Sequence, residues 1–153
     1  MNVRKTALTV AVLLIGTMCF AQNPNLGTWK LNEAKSKLAA GFPKNTTVVY
    51  ETAGDSIKGT VDGVDAQGKP THSVWVGKFD GKDYPVTGDG TSDTRALKQI
   101  DARTLEMTSK KAGKVTISGK IVLSPDGKSR VLTVSATDPM GMKVDGSFFY
   151  DKQ

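Results

Sequence analysis

Turn signals centred on glycine recur along most of this chain. They fall at Ala53-Gly54-Asp55, Gln67-Gly68-Lys69, Asp80-Gly81-Lys82, Ala112-Gly113-Lys114, Asp126-Gly127-Lys128 and Met140-Gly141-Met142. Neighbouring signals lie mostly 13 to 14 residues apart. The one long gap, from Gly81 to Gly113, holds another break at Gly88-Asp89-Gly90 and a turn near Asp101-Ala102-Arg103. Asp-Gly between alternating runs is a hairpin cue, because the turn needs positive φ. No parallel α/β pattern fits such spacing, and no linker or composition shift divides the chain after its N-terminal segment.

Between the turns, apolar residues alternate with period two. In 114–121, Val115, Ile117, Gly119 and Ile121 fall on one face, and Lys114, Thr116, Ser118 and Lys120 on the other. In 130–137, Leu132, Val134 and Ala136 oppose Val131, Thr133 and Ser135. Such alternation marks antiparallel strands with one wet face. Ten strands are predicted, at 27–32, 46–53, 56–64, 71–79, 83–87, 95–100, 104–110, 114–123, 129–137 and 142–151. Only Glu33 to Ala40 has helix formers in sequence, and it ends at Gly41-Phe42-Pro43. A meander of this length must deal with its two edges. Closure into a barrel removes them; a half-open sheet would cover its apolar face by dimerising.

Residues 1–21 read as a secretory signal peptide. Arg4 and Lys5 form the charged start, Ala7 to Gly16 the apolar core, and in Cys19-Phe20-Ala21 the small residues Cys19 and Ala21 take the −3 and −1 positions before cleavage. The apolar run is shorter than the roughly 20 residues of a spanning helix. A rival reading lipidates Cys19, but Met18 is large where a small residue is wanted. Cleavage after Ala21 makes 22–153 the barrel domain, exported to the periplasm or the cell exterior. That domain carries 19 Lys and Arg against 15 Asp and Glu, a net charge of +4, and no cysteine. It has no disulfide to lean on, and at about 130 residues a core alone is sufficient. The single Cys and single His of the whole chain leave no Cys-based or His-rich metal site.

Leu26-Gly27-Thr28-Trp29-Lys30-Leu31 opens the first strand. It is similar to the Gly-X-Trp opening of lipocalins and fatty-acid-binding proteins, the calycin group. The chain more closely resembles exported bacterial lipocalin-like proteins of undetermined function. The resemblance rests on Leu26 to Lys37, the hairpin Val61 to His72, and Phe79 to Gly88. It implies an all-β, antiparallel up-and-down barrel with a short helix after the first strand. It also implies that Gly27 and Trp29 form a structural signature at one end, and that a cavity takes a small apolar ligand. Fatty-acid-binding proteins end with an Arg-X-Tyr pattern that holds a ligand carboxylate. Aligned on Tyr150, that Arg position is Phe148 here, so the resemblance carries over no internal Arg. Those proteins also carry a two-helix lid, for which Glu33 to Ala40 is too short. The barrel interior is therefore open at one end or filled by side chains.

The alternation places Trp75, Phe79, Met107, Ile117, Val134, Phe148 and Tyr150 on inward faces. These are the candidate ligand-lining residues for a small hydrophobic molecule, and ordinary core packing is the competing reading of each. No catalytic set, cofactor motif or metal centre is expected. His72 is alone, and its neighbour Ser73 points to the opposite face of the strand. Gly63 to Lys69 matches G-x-x-x-x-G-K, but Pro70 and a strand follow where a P-loop has Ser or Thr and a helix. Asp80, Asp83, Asp89 and Asp93 crowd one stretch without the spacing of a calcium loop, and read as a solvated loop. Lys110, Lys111 and Lys114 cluster at one turn, and Lys128 and Arg130 at another. This basicity permits weak contact with anionic surfaces, but the interleaved aromatics of a nucleic-acid binder are missing. A non-catalytic carrier is the leading expectation. An envelope interaction module with a filled barrel is the alternative.

Overall fold

A computed structural model of the protein describes residues 23–39, 42–137 and 141–153. The expected signal segment, 1–21, lies outside the described residues, as does Ala40. Ten antiparallel strands run up and down: β1 (Gly27–Leu31), β2 (Lys44–Ala53), β3 (Ser56–Val64), β4 (Pro70–Gly77), β5 (Tyr84–Thr87), β6 (Thr94–Gln99), β7 (Thr104–Lys111), β8 (Lys114–Leu123), β9 (Ser129–Thr137) and β10 (Lys143–Lys152). Each pairs with its sequence neighbours, and β1 also pairs with β10, so the sheet closes into a barrel. Closure leaves no free edge, which answers the edge problem without a second copy.

The turns are where the glycines placed them. Gly113 and Gly127 adopt φ of 77° and 68° in the β7–β8 and β8–β9 connections, a region that disfavours any side chain. Strand ends fall within two residues of their expected positions. The expected helix does not form. Glu33–Lys35 makes a single 3₁₀ turn capped by Asn32, whose side chain accepts from the Lys35 N–H. Beyond it the backbone is claimed by β10. Lys37 exchanges two hydrogen bonds with Ser147 (2.8 and 2.9 Å), and the Ser36 hydroxyl accepts from the Phe149 N–H. A helix of two turns is marginal alone, and sheet pairing outcompetes it.

Inward faces form one continuous core from Trp29 and Tyr50 through Trp75, Leu97, Leu105 and Met107 to Leu132, Val134, Phe148 and Tyr150. Two glycines admit rings into it. A Cβ on Gly59 would lie 2.7 Å from Tyr50 Cε1, and one on Gly77 2.5 Å from Tyr84 Cγ. Among the described residues, no helix is long and apolar enough to cross a membrane.

Candidate functional site

The barrel has a tight end and a looser end. At the tight end, the floor, Trp29 is fully buried and its indole N–H donates to the Asn25 carbonyl (2.9 Å). Lys152 closes over it, donating to the Pro24 carbonyl (3.0 Å) with its ammonium 5.1 Å from the Trp29 ring. Leu105, Leu123 and Tyr150 complete the floor, all at 1% exposure or less. Towards the other end the inward side chains become half-buried at Ile117, Ala136 and Val144. Val115 and Met142 are more than half exposed there. Leu38 and Phe42 reach over this end: a Cβ on Gly146 would meet both, at 3.6 and 3.5 Å, and Phe42 packs edge-on against Phe148. The segment after β1 thus covers part of the mouth with two apolar side chains, in place of a helical lid.

The seven candidate lining residues share this interior. Trp75, Met107, Val134, Phe148 and Tyr150 are buried members of the core, and Phe79 and Ile117 are partly buried against it. Four of them form two stacks. Trp75 stacks with Phe79 (6.2 Å) beside Tyr84 and Tyr50, and Phe148 stacks with Tyr150 (6.4 Å). Phe79 lies just beyond β4, where a longer strand was expected. Tyr150 donates its hydroxyl to the Asn45 carbonyl (3.0 Å), and burial pushes its pKa up. Gly27 has φ of 115°, and a Cβ there would meet the Lys152 side chain at 3.0 Å, so the Gly and Trp of the opening both serve the floor.

Two arginines enter the interior that the sequence reading did not place there. Arg95, on β6, donates to the Ser109 hydroxyl (3.0 Å) and to the Asp89 carboxylate (3.0 Å). Both charged side chains are at most 15% exposed. Asp89 also accepts from Ser92 and Thr91. Burial alone would raise its carboxyl, but the Ser92 and Thr91 hydrogen bonds and the Arg95 charge outweigh it, so the pKa falls below its ordinary value. A carboxylate depressed on folding contributes stability above its unfolded pKa and loses it as pH falls through the folded value. Asp89→Asn is therefore expected to destabilise the barrel at pH 7 and to lose less further stability than wild type on acidification below pH ~4. Urea midpoints measured from pH 7 to pH 2 check this.

Arg130 corrects the expectation of a surface pair with Lys128. It is 2% exposed and shares the inward face of β9 with Leu132 and Val134. Its Cζ lies 4.4 Å from the centre of the Trp29 ring, 5.2 Å from Tyr50 and 5.3 Å from Tyr150. Its Nε and Nη1 have no hydrogen-bond partner among the described residues. Desolvation pushes the guanidinium pKa down. Asn25 Oδ1 is a further buried polar atom without a partner among the described residues.

The remaining motifs resolve into local structure. Asp80 accepts from Tyr84, Asp83 pairs with Lys110, and Asp93 accepts from the Ala112 N–H. The expectation of a solvated loop thus fails for Asp89, which is drawn inside. Among the described residues no three acidic, His or Cys side chains converge as metal ligands. In the hairpin Gly63–Lys69, Asp65 accepts from the Gln67 and Lys69 N–H groups. His72 faces Asp62 across β3 and β4 at 2.6 Å, in solvent.

A concavity of about 630 Å³ lies on the outer wall of β7 to β10. Exposed Glu106, Lys120, Thr133, Asp145 and Lys37 line it together with Gly119, Gly146 and two of the candidate lining residues, Met107 and Val134. The geometry defines the protein as a closed ten-strand antiparallel barrel with an apolar interior and a capped floor. No family model matches the chain, and no curated protein matches it.

Proposed function

We propose that the chain is an exported, lipocalin-like, non-catalytic protein that takes a small hydrophobic molecule into its barrel. The signal-type segment 1–21 supports export to the periplasm or beyond, and the Leu26 to Lys37 opening supports the lipocalin-like kinship and a bacterial source. The single observation that carries the binding reading is the gradient of burial along the interior. Its aromatic and aliphatic wall is tight at Trp29 and loosens towards Ile117, and among the described residues Leu38 and Phe42 pack near Gly146 on that side. Ligand entering there would leave water at about 25 cal/mol per Å² of apolar surface buried.

The test is saturable binding of 1-aminoanthracene, a neutral apolar fluorophore. Ile117 is half-buried at the mouth, so Ile117→Glu is expected to keep the fold and weaken binding about tenfold or more, because the probe must pass a charge. Wild type that shows no saturable binding contradicts the proposal, as does a folded Ile117→Glu variant with unchanged affinity.

The second reading is a filled barrel that acts through its outer surface. The concavity on β7 to β10 favours it, and so does the membership of the seven lining residues in, or against, one packed core. It predicts no apolar binding and a macromolecular partner in the exported fraction.

A further inference from the structure

We infer that the concave outer wall of β7 to β10 is a second binding site, a trough for an uncharged, extended β-1,4-linked glycan laid across the strands. This site goes beyond the proposed interior ligand and does not depend on it.

Strand register builds the trough. On the outward face, Glu106, Lys120, Thr133 and Ser147 stand opposite one another in one row across β7, β8, β9 and β10. Lys37 extends that row through its bridge to Ser147. Thr108, Ser118, Ser135 and Asp145 form a second, parallel row. Between the two lies an inward-facing row, Met107, Gly119, Val134 and Gly146. All three rows line the concavity of about 630 Å³, a volume typical of a small-molecule site. The two glycines account for the hollow. A Cβ on Gly119 would lie 2.6 Å from the Thr133 carbonyl oxygen. Glycine inside a strand marks a close approach of backbone, and here the wall sinks towards the core between its polar rows.

Charge and hydroxyls decide what the trough holds. Glu106 and Asp145 balance Lys120 and Lys37, so the lining selects neither sign, and a polyanion gains little there. Glu106 and Lys120 face each other without an ion pair among the described residues. The hydroxyls of Thr108, Ser118, Ser135 and Ser147 likewise bond no described protein group. In the other half of the barrel, Asp62, Asp80, Asp83 and Asp89 each hold a side-chain partner. The polar groups of the trough are thus unspent. Hydroxyls donate and accept, and carboxylates accept, which matches the hydroxyls of a neutral sugar. Along one margin Val122, Val131 and Phe149 form an apolar row, suited to the C–H face of a pyranose. A protein partner calls for the reverse arrangement, an apolar centre with a polar rim. The spacing selects the linkage. Neighbouring strands lie about 4.8 Å apart, and an extended β-1,4-linked chain advances by about that distance per ring. Each ring therefore meets one strand's pair of polar side chains. A coiled α-1,4-linked chain loses this match.

The test is isothermal titration of the purified protein with cellohexaose, chitohexaose and maltohexaose, with amide NMR shifts followed in parallel. At least one of the two β-1,4-linked chains is expected to bind saturably, about tenfold or more tightly than maltohexaose. The shifts are expected to concentrate at 106–108, 118–120, 133–135 and 145–147. The double variant Ser118→Ala, Ser135→Ala removes two unspent hydroxyls, so it is expected to fold as wild type and bind about tenfold or more weakly. Four results each overturn the inference: no saturable binding of either β-1,4-linked chain, equal binding of maltohexaose, shifts centred on β2 to β5, or unchanged affinity in the folded double variant. Should that variant fail to fold, the wild-type linkage preference and shift map decide. Titration with 1-aminoanthracene is a separate readout. Its failure strikes the interior ligand alone, and failure of the glycans strikes the trough alone.

Discussion

Gly77→Val is expected to unfold this barrel or bring it to the edge of unfolding. Gly77 ends β4 on the inward face, and two rings occupy the space its side chain would need. A Cβ there would lie 2.5 Å from Tyr84 Cγ and 2.6 Å from Trp75 Cζ2. Neither ring can step aside cheaply. Trp75 is 2% exposed and its indole donates to the Arg95 carbonyl (2.9 Å), while Tyr84 bonds Asp80 and packs edge-on to Trp75. Overpacking costs about 1–3 kcal/mol even where neighbours give, and this site combines a rigid clash with the shortest strand of the barrel. A loss of about 3 kcal/mol or more is the expectation, against a total stability of order 5–15 kcal/mol. Gly90 is the control. Nothing lies within 4 Å of a Cβ there and its φ is ordinary, so Gly90→Ala is expected to stay within about 1 kcal/mol of wild type. Urea unfolding followed by near-ultraviolet circular dichroism reads both.

Trp29→Ala has the second large effect. Trp29 is fully buried, the Arg130 guanidinium stacks on its ring at 4.4 Å, and Lys152 lies 5.1 Å from the ring. Removing a core tryptophan costs about 3–5 kcal/mol. Here it also leaves the Asn25 carbonyl without its donor and exposes a buried guanidinium to the cavity left behind. Trp29→Phe separates these contributions. It keeps a ring for Arg130 and loses only the hydrogen bond and part of the volume, so a cost of about 1–2 kcal/mol is expected. Equal losses for the two variants would mean that the ring does not organise the floor.

Much of this fold was legible because β-hairpins announce themselves twice. Glycines such as Gly113 and Gly127 mark where φ must be positive, and the alternation in 114–121 marks which side chains face inward. Both signals are local, so they survive without knowledge of the rest of the chain. The Glu33 to Ala40 segment misled for the opposite reason. Its residues favour helix, but Lys37 and Ser36 are held by Ser147 and Phe149, far away in sequence. Tertiary pairing decided the outcome, and propensity carries no record of it.

The interior was legible in part. Alternation found Trp75, Met107, Val134, Phe148 and Tyr150 because apolar residues obey parity. It missed Arg130, although the same parity placed Arg130 on the face of Leu132 and Val134. Its charge and its neighbour Lys128 suggested surface, since buried arginines are rare. The signal was the register rather than the residue type. Asp89 escaped for the same reason: among four crowded aspartates, only the fold shows that one of them turns inward to meet Arg95.

The central claim, a small molecule held inside the barrel, is tested most directly by native mass spectrometry of the protein purified from its own exported fraction. The account predicts the mass of the 132-residue chain from Gln22 with a discrete added mass of a few hundred daltons. That added mass should disappear on denaturation. A bare chain that also shows no saturable binding of 1-aminoanthracene would contradict it, and would leave the surface of β7 to β10 as the functional surface.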